Sequence, residues 1–283
     1  MWAKIFEKMN RRNLLKQLAS SVFFLILPVL VYPQAQPSQL PKGILLENLS
    51  WQEAEKVLTD STIVVIPLGA AAKEHGPHLK LNNDWRMAEY LKQRVLAEAE
   101  VVIAPTVPYH FYPAFVEYPG STSLRLETAR DLIVDICRSL ARFGPRRFYV
   151  LNTGVSTLRA LAPAAEILAA DKILLHYTNI LKVAEPAEKA VSQQEGGTHA
   201  DEIETSMMLY IDPTSVDMNK AAKDYHPGKG PLTRKPDGEG VYSPTGIYGD
   251  ATLATREKGE KVVEATVEGI LRDLQELRRS KLP

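Results

Sequence analysis

Within Lys73-Glu74-His75-Gly76-Pro77-His78-Leu79-Lys80-Leu81-Asn82-Asn83-Asp84, two histidines and two carboxylates fall inside eleven residues. Imidazole and carboxylate oxygen are the donors that suit zinc, manganese or iron. Gly76 and Pro77 shape the stretch as a loop rather than a helix. The single cysteine, Cys137, excludes an intrachain disulfide and a thiolate zinc cluster. Any metal must therefore be held by His and carboxylates. Lys73 admits three readings: a solvated surface lysine, the counter-ion of Asp84 or Glu74, or, in a dry pocket beside His75, a base or Schiff-base nucleophile of lowered pKa.

Other residues carry weaker signals. His110 sits in Pro108-Tyr109-His110-Phe111-Tyr112-Pro113, where it packs in an aromatic pocket or joins a metal site. Tyr109, Phe111, Tyr112, Phe115 and Tyr118 make an aromatic-rich segment that lines a pocket for a flat ligand or packs a subunit interface. Ser156 lacks the second glycine of a nucleophile elbow and reads as an N-cap for the helix that follows. Lys229, Arg234 and Lys235 read as a solvated face.

The elements that must position these residues alternate between strand and helix. Residues 62–68 (TIVVIPL) form a short β-branched run ending at Gly69, a buried strand. Helical spacing covers residues 85–99, a second strand 101–104, and an amphipathic helix 126–143. A third strand follows at 147–151, a helix at 158–170, a fourth strand at 173–176 and a helix at 202–210. Residues 224–250 are rich in Gly, Pro and Asp and read as a long loop. The last helix runs over about 255–278. This alternation predicts an α/β fold with a mainly parallel sheet flanked by helices. The Lys73–Asp84 stretch then leaves the C-terminal edge of the sheet, where such folds place their sites.

The 283 residues carry 34 Lys and Arg against 34 Asp and Glu. Residues 1–16 hold five of the basic residues and only Glu7 against them, so the remainder, with 29 basic and 33 acidic side chains, is mildly acidic. Such a body has no general attraction for polyanions, which excludes nucleic acid as the expected partner. Leu18 to Tyr32 is an uncharged run of signal-peptide length. Arg11-Arg12-Asn13-Leu14-Leu15-Lys16 before it resembles a twin-arginine export signal. Residues 1–35 are therefore expected to direct export to the periplasm, the alternative being an uncleaved membrane anchor. A linker is expected at 36–48 and a single domain at 49–283.

Four ordered motifs point to one family. Residues 69–79 (GAAAKEHGPHL) followed by Asp84 resemble the signature loop of the creatininase (creatinine amidohydrolase) family. Residues 118–124 (YPGSTSL) are similar to its FPGT-x-SL, and residues 199–206 (HADEIETS) to its HAGE-x-ETS segment. Gly249-Asp250 with Ala254-Thr255, Lys258 and Gly259 is similar to its GDP-x-x-A-T-x-x-K-G. The resemblance spans roughly residues 44–278. It implies a three-layer α/β sandwich assembled as a homo-oligomer, usually a hexamer, acting on a small-molecule substrate. It further implies a two-metal centre of zinc or manganese that hydrolyses C–N bonds of cyclic or linear amides. By the same resemblance His75 and Asp84 are metal ligands, Asp84 bridging, with Glu74 in the adjacent slot. His199 passes a proton to the leaving nitrogen and Glu204 supports the site. His78, His110 and Ser123 are expected to contact substrate.

The departures fall on the metal. Lys73 stands where the family has a glutamate ligand, Gly154 where it has a histidine, and Ser156 where some members have a glutamate. Three readings follow. Glu74, joined by His110 or Glu202, rebuilds a single-metal hydrolytic site with His75 and Asp84. Alternatively Lys73 runs a metal-free hydrolase or lyase, with Asp84 and His199 moving protons. In the third, the chain is a non-catalytic binding or assembly protein that keeps the fold. The altered ligand set also argues against creatinine itself as substrate.

Overall fold

A computed structural model describes residues 41–283. The expected signal at 1–35 and the first part of the linker lie outside the described residues. Five strands, β1 (Ile44–Leu45), β2 (Ile63–Leu68), β3 (Val102–Ile103), β4 (Arg147–Asn152) and β5 (Leu174–Tyr177), form one sheet in the order β1-β3-β2-β4-β5. Every pairing is parallel, the longest running from Ile63 opposite Arg147 to Leu68 opposite Asn152. The seven helices among the described residues are α1 (Trp51–Val57), α2 (Asn83–Glu98), α3 (Leu126–Ala141), α4 (Leu158–Ala170), α5 (Glu185–Val191), α6 (Glu202–Ile211) and α7 (Arg256–Arg279).

Side-chain alternation along β2 divides the core into two faces. Ile63 and Val65 point to one face, against Met87, Leu91 and Val95 of α2, Met208 of α6 and Val263, Val267 and Ile270 of α7. Val64, Ile66 and Leu68 point to the other, against Ile133, Val134 and Cys137 of α3 and Leu161, Ala164 and Leu168 of α4. All six residues of β2 are buried, which is why the strand reads as an unbroken apolar run rather than an alternating one. The result is the expected three-layer α/β architecture. Cys137 is wholly buried and its thiol is pushed up by burial, so it packs as a small apolar residue.

Ordered structure starts earlier than the expected linker allows, because Ile44 and Leu45 pair with Val102 and Ile103 at the sheet edge. Periodicity did not reveal α1, started by a Ser50–Glu53 capping box, nor α5, which has a proline in its first turn. Both are only seven residues long, too short for apolar spacing to recur. Ser156 does not cap α4. Thr157 occupies the N-cap position, and its hydroxyl donates to Asn152 Oδ1 at 2.7 Å. The segment expected as a long loop at 224–250 is closed at its ends by Lys223–Asp224 pairing with Gly249–Asp250 and holds a second small pairing, Leu232–Thr233 with Val241–Tyr242. No helix among the described residues is long and apolar enough to cross a membrane.

Two glycines set how closely elements approach. A Cβ on Gly69 would lie 2.3 Å from the Asp84 carbonyl oxygen, so glycine lets the end of β2 meet the start of α2. A Cβ on Gly259 would lie 1.8 Å from the Ser206 carbonyl oxygen, where α7 crosses α6. Gly259→Ala must push these helices apart. It is expected to lower unfolding stability by about 1–3 kcal/mol, the usual range for overpacking. Urea unfolding at unchanged slope checks this; an unshifted midpoint would mean that the crossing yields freely.

Candidate active site

The loops after β2 and β4 leave the same edge of the sheet. The chain passes from β2 to β3 on one side and from β3 back across to β4 on the other, so that edge is a topological switch point. Thr153, in the loop after β4, donates to the carbonyls of Leu68 and Asp84 at 3.1 and 3.3 Å, tying the two loops together. Residues 198–199 run antiparallel to Tyr248, with Tyr248 N–H donating to the His199 carbonyl at 2.9 Å. Ser121 Oγ accepts from the Glu74 amide at 2.9 Å. All four motifs thus meet around one loop.

At the centre, Asp84 is completely buried in the first turn of α2. Its Oδ2 lies 2.7 Å from Lys73 Nζ and its Oδ1 2.7 Å from His75 Nε2. The other His75 nitrogen, Nδ1, donates to the Lys73 carbonyl at 2.9 Å. A carbonyl only accepts, so Nδ1 carries a hydrogen. With Nε2 facing a carboxylate, the ring is held as an imidazolium. Burial and the Lys73 ammonium oppose that charge, yet Asp84 and Glu204 outweigh them and hold the ring at about 9. Burial likewise opposes the Lys73 ammonium, but Asp84, Glu204 and Glu74 raise its pKa above the ordinary lysine value. The carboxyls of Asp84 and Glu204 are driven down, burial being overcome by Lys73 and His75 for the first and by His75 and His199 for the second.

Glu204, on α6, faces both histidines, with Oε1 3.3 Å from His75 Nε2 and Oε2 3.6 Å from His199 Nδ1. Its Oε2 also accepts from the Ala200 amide at 2.6 Å. Ala200 has φ of +49°, a left-handed conformation that costs a non-glycine residue on the order of 1 kcal/mol and here turns the chain between His199 and α6. Asp201 starts that helix, its Oδ1 accepting from the Ile203 and Glu204 amides at 3.0 Å. His199 Nε2 donates to Glu74 Oε1 at 2.8 Å and lies 3.1 Å from the Glu74 carbonyl. Both partners are acceptors, so Nε2 carries the hydrogen and Nδ1 is left to take or give a proton. Phe115 lies against the His199 ring, centroids 4.2 Å apart.

Of these groups Lys73, His199 and Glu204 line a cavity of about 480 Å³ together with Tyr112, Phe115, Ile203, Met207 and Tyr248, whereas His75, Asp84 and Glu74 are buried outside its lining. That volume suits a small molecule. Gly228 to Gly230, Leu232 and Val241 complete the far wall. Nothing in the spacing of that Gly/Pro-rich segment announces it. Of the aromatic segment, Tyr112 and Phe115 face the cavity, Tyr118 donates to the Ser243 carbonyl at 2.6 Å, and Tyr109 is exposed.

Several expectations differ from the geometry. Glu74 is turned away from Asp84: its carboxylate accepts from His199 and, at 2.8 Å, from the Gly76 amide. Glu202 faces away from the cavity and pairs with Lys258 Nζ at 2.5 Å while accepting from the Gln193 and Gln194 amides. His110 donates to the Ala129 carbonyl at 3.0 Å, and burial pushes its pKa down to about 4. His78 meets Thr205 Oγ1 at 2.8 Å and is likewise pushed down to about 4, chiefly by burial. Ser123 Oγ accepts from the Tyr112 amide and donates to the Leu124 carbonyl. None of His78, His110 and Ser123 lines the cavity. Lys73, expected as a free-amine base or nucleophile of lowered pKa, instead lies 2.7 Å from Asp84, and although burial opposes its charge the surrounding carboxylates shift its pKa upward.

Two ions do not fit this donor set. Both Asp84 oxygens already meet cationic nitrogens of the chain, and Gly154 and Ser156 supply no strong donor. One ion does fit. His75, His199 and Glu204 present ligand atoms all within 4.8 Å of one another. Two ligands on one tetrahedral zinc are about 3.4 Å apart, close to the 3.3 Å between His75 Nε2 and Glu204 Oε1. Charge agrees. A divalent ion in place of the His75 proton, together with Lys73, balances the carboxylates of Glu74, Asp84 and Glu204, whereas a second ion would leave buried positive charge unmatched.

Comparison with known proteins gives a consistent picture. The family model described as creatinine amidohydrolase matches residues 47–274. Creatinine amidohydrolase of Pseudomonas putida is 28% identical, over 84% of this chain and 98% of its own. A mycofactocin precursor peptide peptidase of Mycolicibacterium smegmatis is also 28% identical, over 73% of this chain and 82% of its own. Solved creatininase structures include a manganese form with a TM-score of 0.68 and a mutant of zinc–zinc type with 0.67. Each is 25% identical and covers 83% of this chain and 98% of its own.

Proposed function

The chain belongs to the creatininase family, and from that premise we propose that it is a metal-dependent hydrolase that breaks an amide C–N bond of a small cyclic or linear molecule. The observation that carries this reading is the convergence of ligand atoms of His75, His199 and Glu204 within 4.8 Å of one another, with His199 and Glu204 on the wall of the cavity. The named relatives, an amidohydrolase and a peptidase, are both hydrolases of C–N bonds.

His75 and Glu204 would hold one zinc or manganese ion, with Asp84 behind them. When bound, such an ion lowers the pKa of a water and polarises a carbonyl. The chain's own residues do the rest. His199, oriented through Nε2 by Glu74, keeps Nδ1 free to take a proton and deliver it to the leaving nitrogen. Phe115 and Tyr112 exclude water from one side, and Lys73 offsets the Asp84 charge beneath them. Export to the periplasm belongs to the same proposal, supported by the Arg11-Arg12 pattern and the apolar run behind it.

A panel of lactams, cyclic ureas, N-acyl amines and short peptides, assayed for released amine with zinc or manganese supplied, tests the reading. Turnover of at least one class, abolished by a chelator, is expected. Binding without turnover across the panel would overturn the hydrolase in favour of a binding protein.

A further inference from the structure

Asp84 is the residue that the family resemblance places between two ions, and the solved relative of zinc–zinc type has two. In this chain one of the two cation positions on that carboxylate is taken by a side chain. Lys73 Nζ lies 2.7 Å from Asp84 Oδ2, and Lys73 is 5% exposed. The ammonium is clamped on its other side by aromatic faces, 4.7 Å from the Phe115 centroid and 5.7 Å from that of Tyr112. The groups that would complete an ion at this position are missing together. Gly154 has no side chain, and a Cβ built there would meet Thr157 Cγ2 at 3.0 Å and Tyr112 Cε1 at 3.4 Å, so the space of a ligand at 154 is already filled. Ser156 offers only a hydroxyl.

We propose that Lys73 Nζ permanently replaces one ion of a two-ion centre, leaving a site for a single divalent ion at His75 and Glu204, beside His199. This rests on the single-ion reading above. The chemistry is an exchange of cations. A lysine supplies one fixed positive charge against Asp84 without any dependence on metal supply. It cannot bind or activate water as an ion does, so that chemistry falls to the remaining position.

Metal content per chain separates the alternatives. The full chain is equilibrated with excess zinc, freed of loose ions by gel filtration and analysed for metal. The wild type is expected to hold one ion and Lys73→Glu one more than the wild type. If Lys73→Glu does not fold, Lys73→Met replaces it in the comparison. Removing the nearby ammonium is then expected to tighten zinc binding about tenfold or more. Two ions in the wild type overturn the proposal. So does a folded Lys73→Glu that holds no additional ion or, in the substitute comparison, a Lys73→Met of unchanged affinity. No ion in the wild type with one in Lys73→Glu upholds the replacement at Asp84 but overturns the remaining single-ion site, and with it the metal in the hydrolytic reading.

Discussion

Replacing Asp84 by alanine is expected to lower the unfolding free energy by about 3–5 kcal/mol, the range for removing one partner of a buried ion pair. Both Asp84 oxygens are contacted at 2.7 Å, by Lys73 and His75, and all three residues are buried. Alanine leaves an ammonium and an imidazolium facing each other without their shared counter-ion. Asp84→Asn keeps the shape and one acceptor oxygen, so a smaller loss is expected. In Lys73→Met combined with Asp84→Leu both charges are gone, and much of the stability should return, because well-packed apolar residues often replace a buried pair without net cost. Urea unfolding of the three variants measures this. A single Asp84→Ala within about 1 kcal/mol of the wild type, below the loss seen for removing one partner of a buried pair, would show that the cluster is not structural.

Without bound metal, the same network gives the protein a pH window. His75 is raised from 6.5 to about 9, so its contribution is complete below 6.5 and lost as pH climbs through about 9. Asp84 and Glu204 are lowered, so their contributions are complete above the ordinary carboxyl range and lost as pH falls below it. Stability should therefore peak in mildly acidic solution, and Asp84→Ala should flatten the alkaline side.

Replacing His199 by alanine is expected to lower kcat by about 10²–10⁴, the usual share of general acid–base catalysis, with little change in KM. His199 has no other evident duty. Its backbone pairs with Tyr248 whatever the side chain, and Phe115 can relax into the space. Glu74→Gln is the informative companion. A glutamine can present either its oxygen or its NH₂ to His199 Nε2, and the second arrangement reverses the tautomer. A loss in kcat smaller than that of His199→Ala, with KM unchanged, is expected. Both variants should bind metal as the wild type does. Steady-state kinetics on whichever amide is turned over decide it, and full activity in His199→Ala would place proton transfer elsewhere.

The sequence by itself determined the larger elements and the membership of the site. The β-branched run at 62–68 and the apolar spacing of residues 126–143 and 255–278 report how many side chains of each element are buried, which periodicity records directly. The resemblance of its ordered motifs to the creatininase family, rather than any spacing, implied that His75, Asp84, His199 and Glu204 share one centre. Elements of two to seven residues, β1, α1 and α5, left no such trace, since a repeat needs length to show. What only the tertiary structure decided is where each charged side chain points. Lys73 turns to Asp84, Glu74 to His199 and Glu202 to Lys258, although Lys73 and Glu74 are neighbours in one loop. The partners of Glu74 and Glu202 lie 125 and 56 residues away. Their positions follow from how α2, α6, α7 and residues 224–250 pack, notably where Gly69 lets α2 close on β2. The choice among those partners is electrostatic: in a buried cluster each charge takes the arrangement that leaves none unmatched, and that balance belongs to the assembled site rather than to any segment of it.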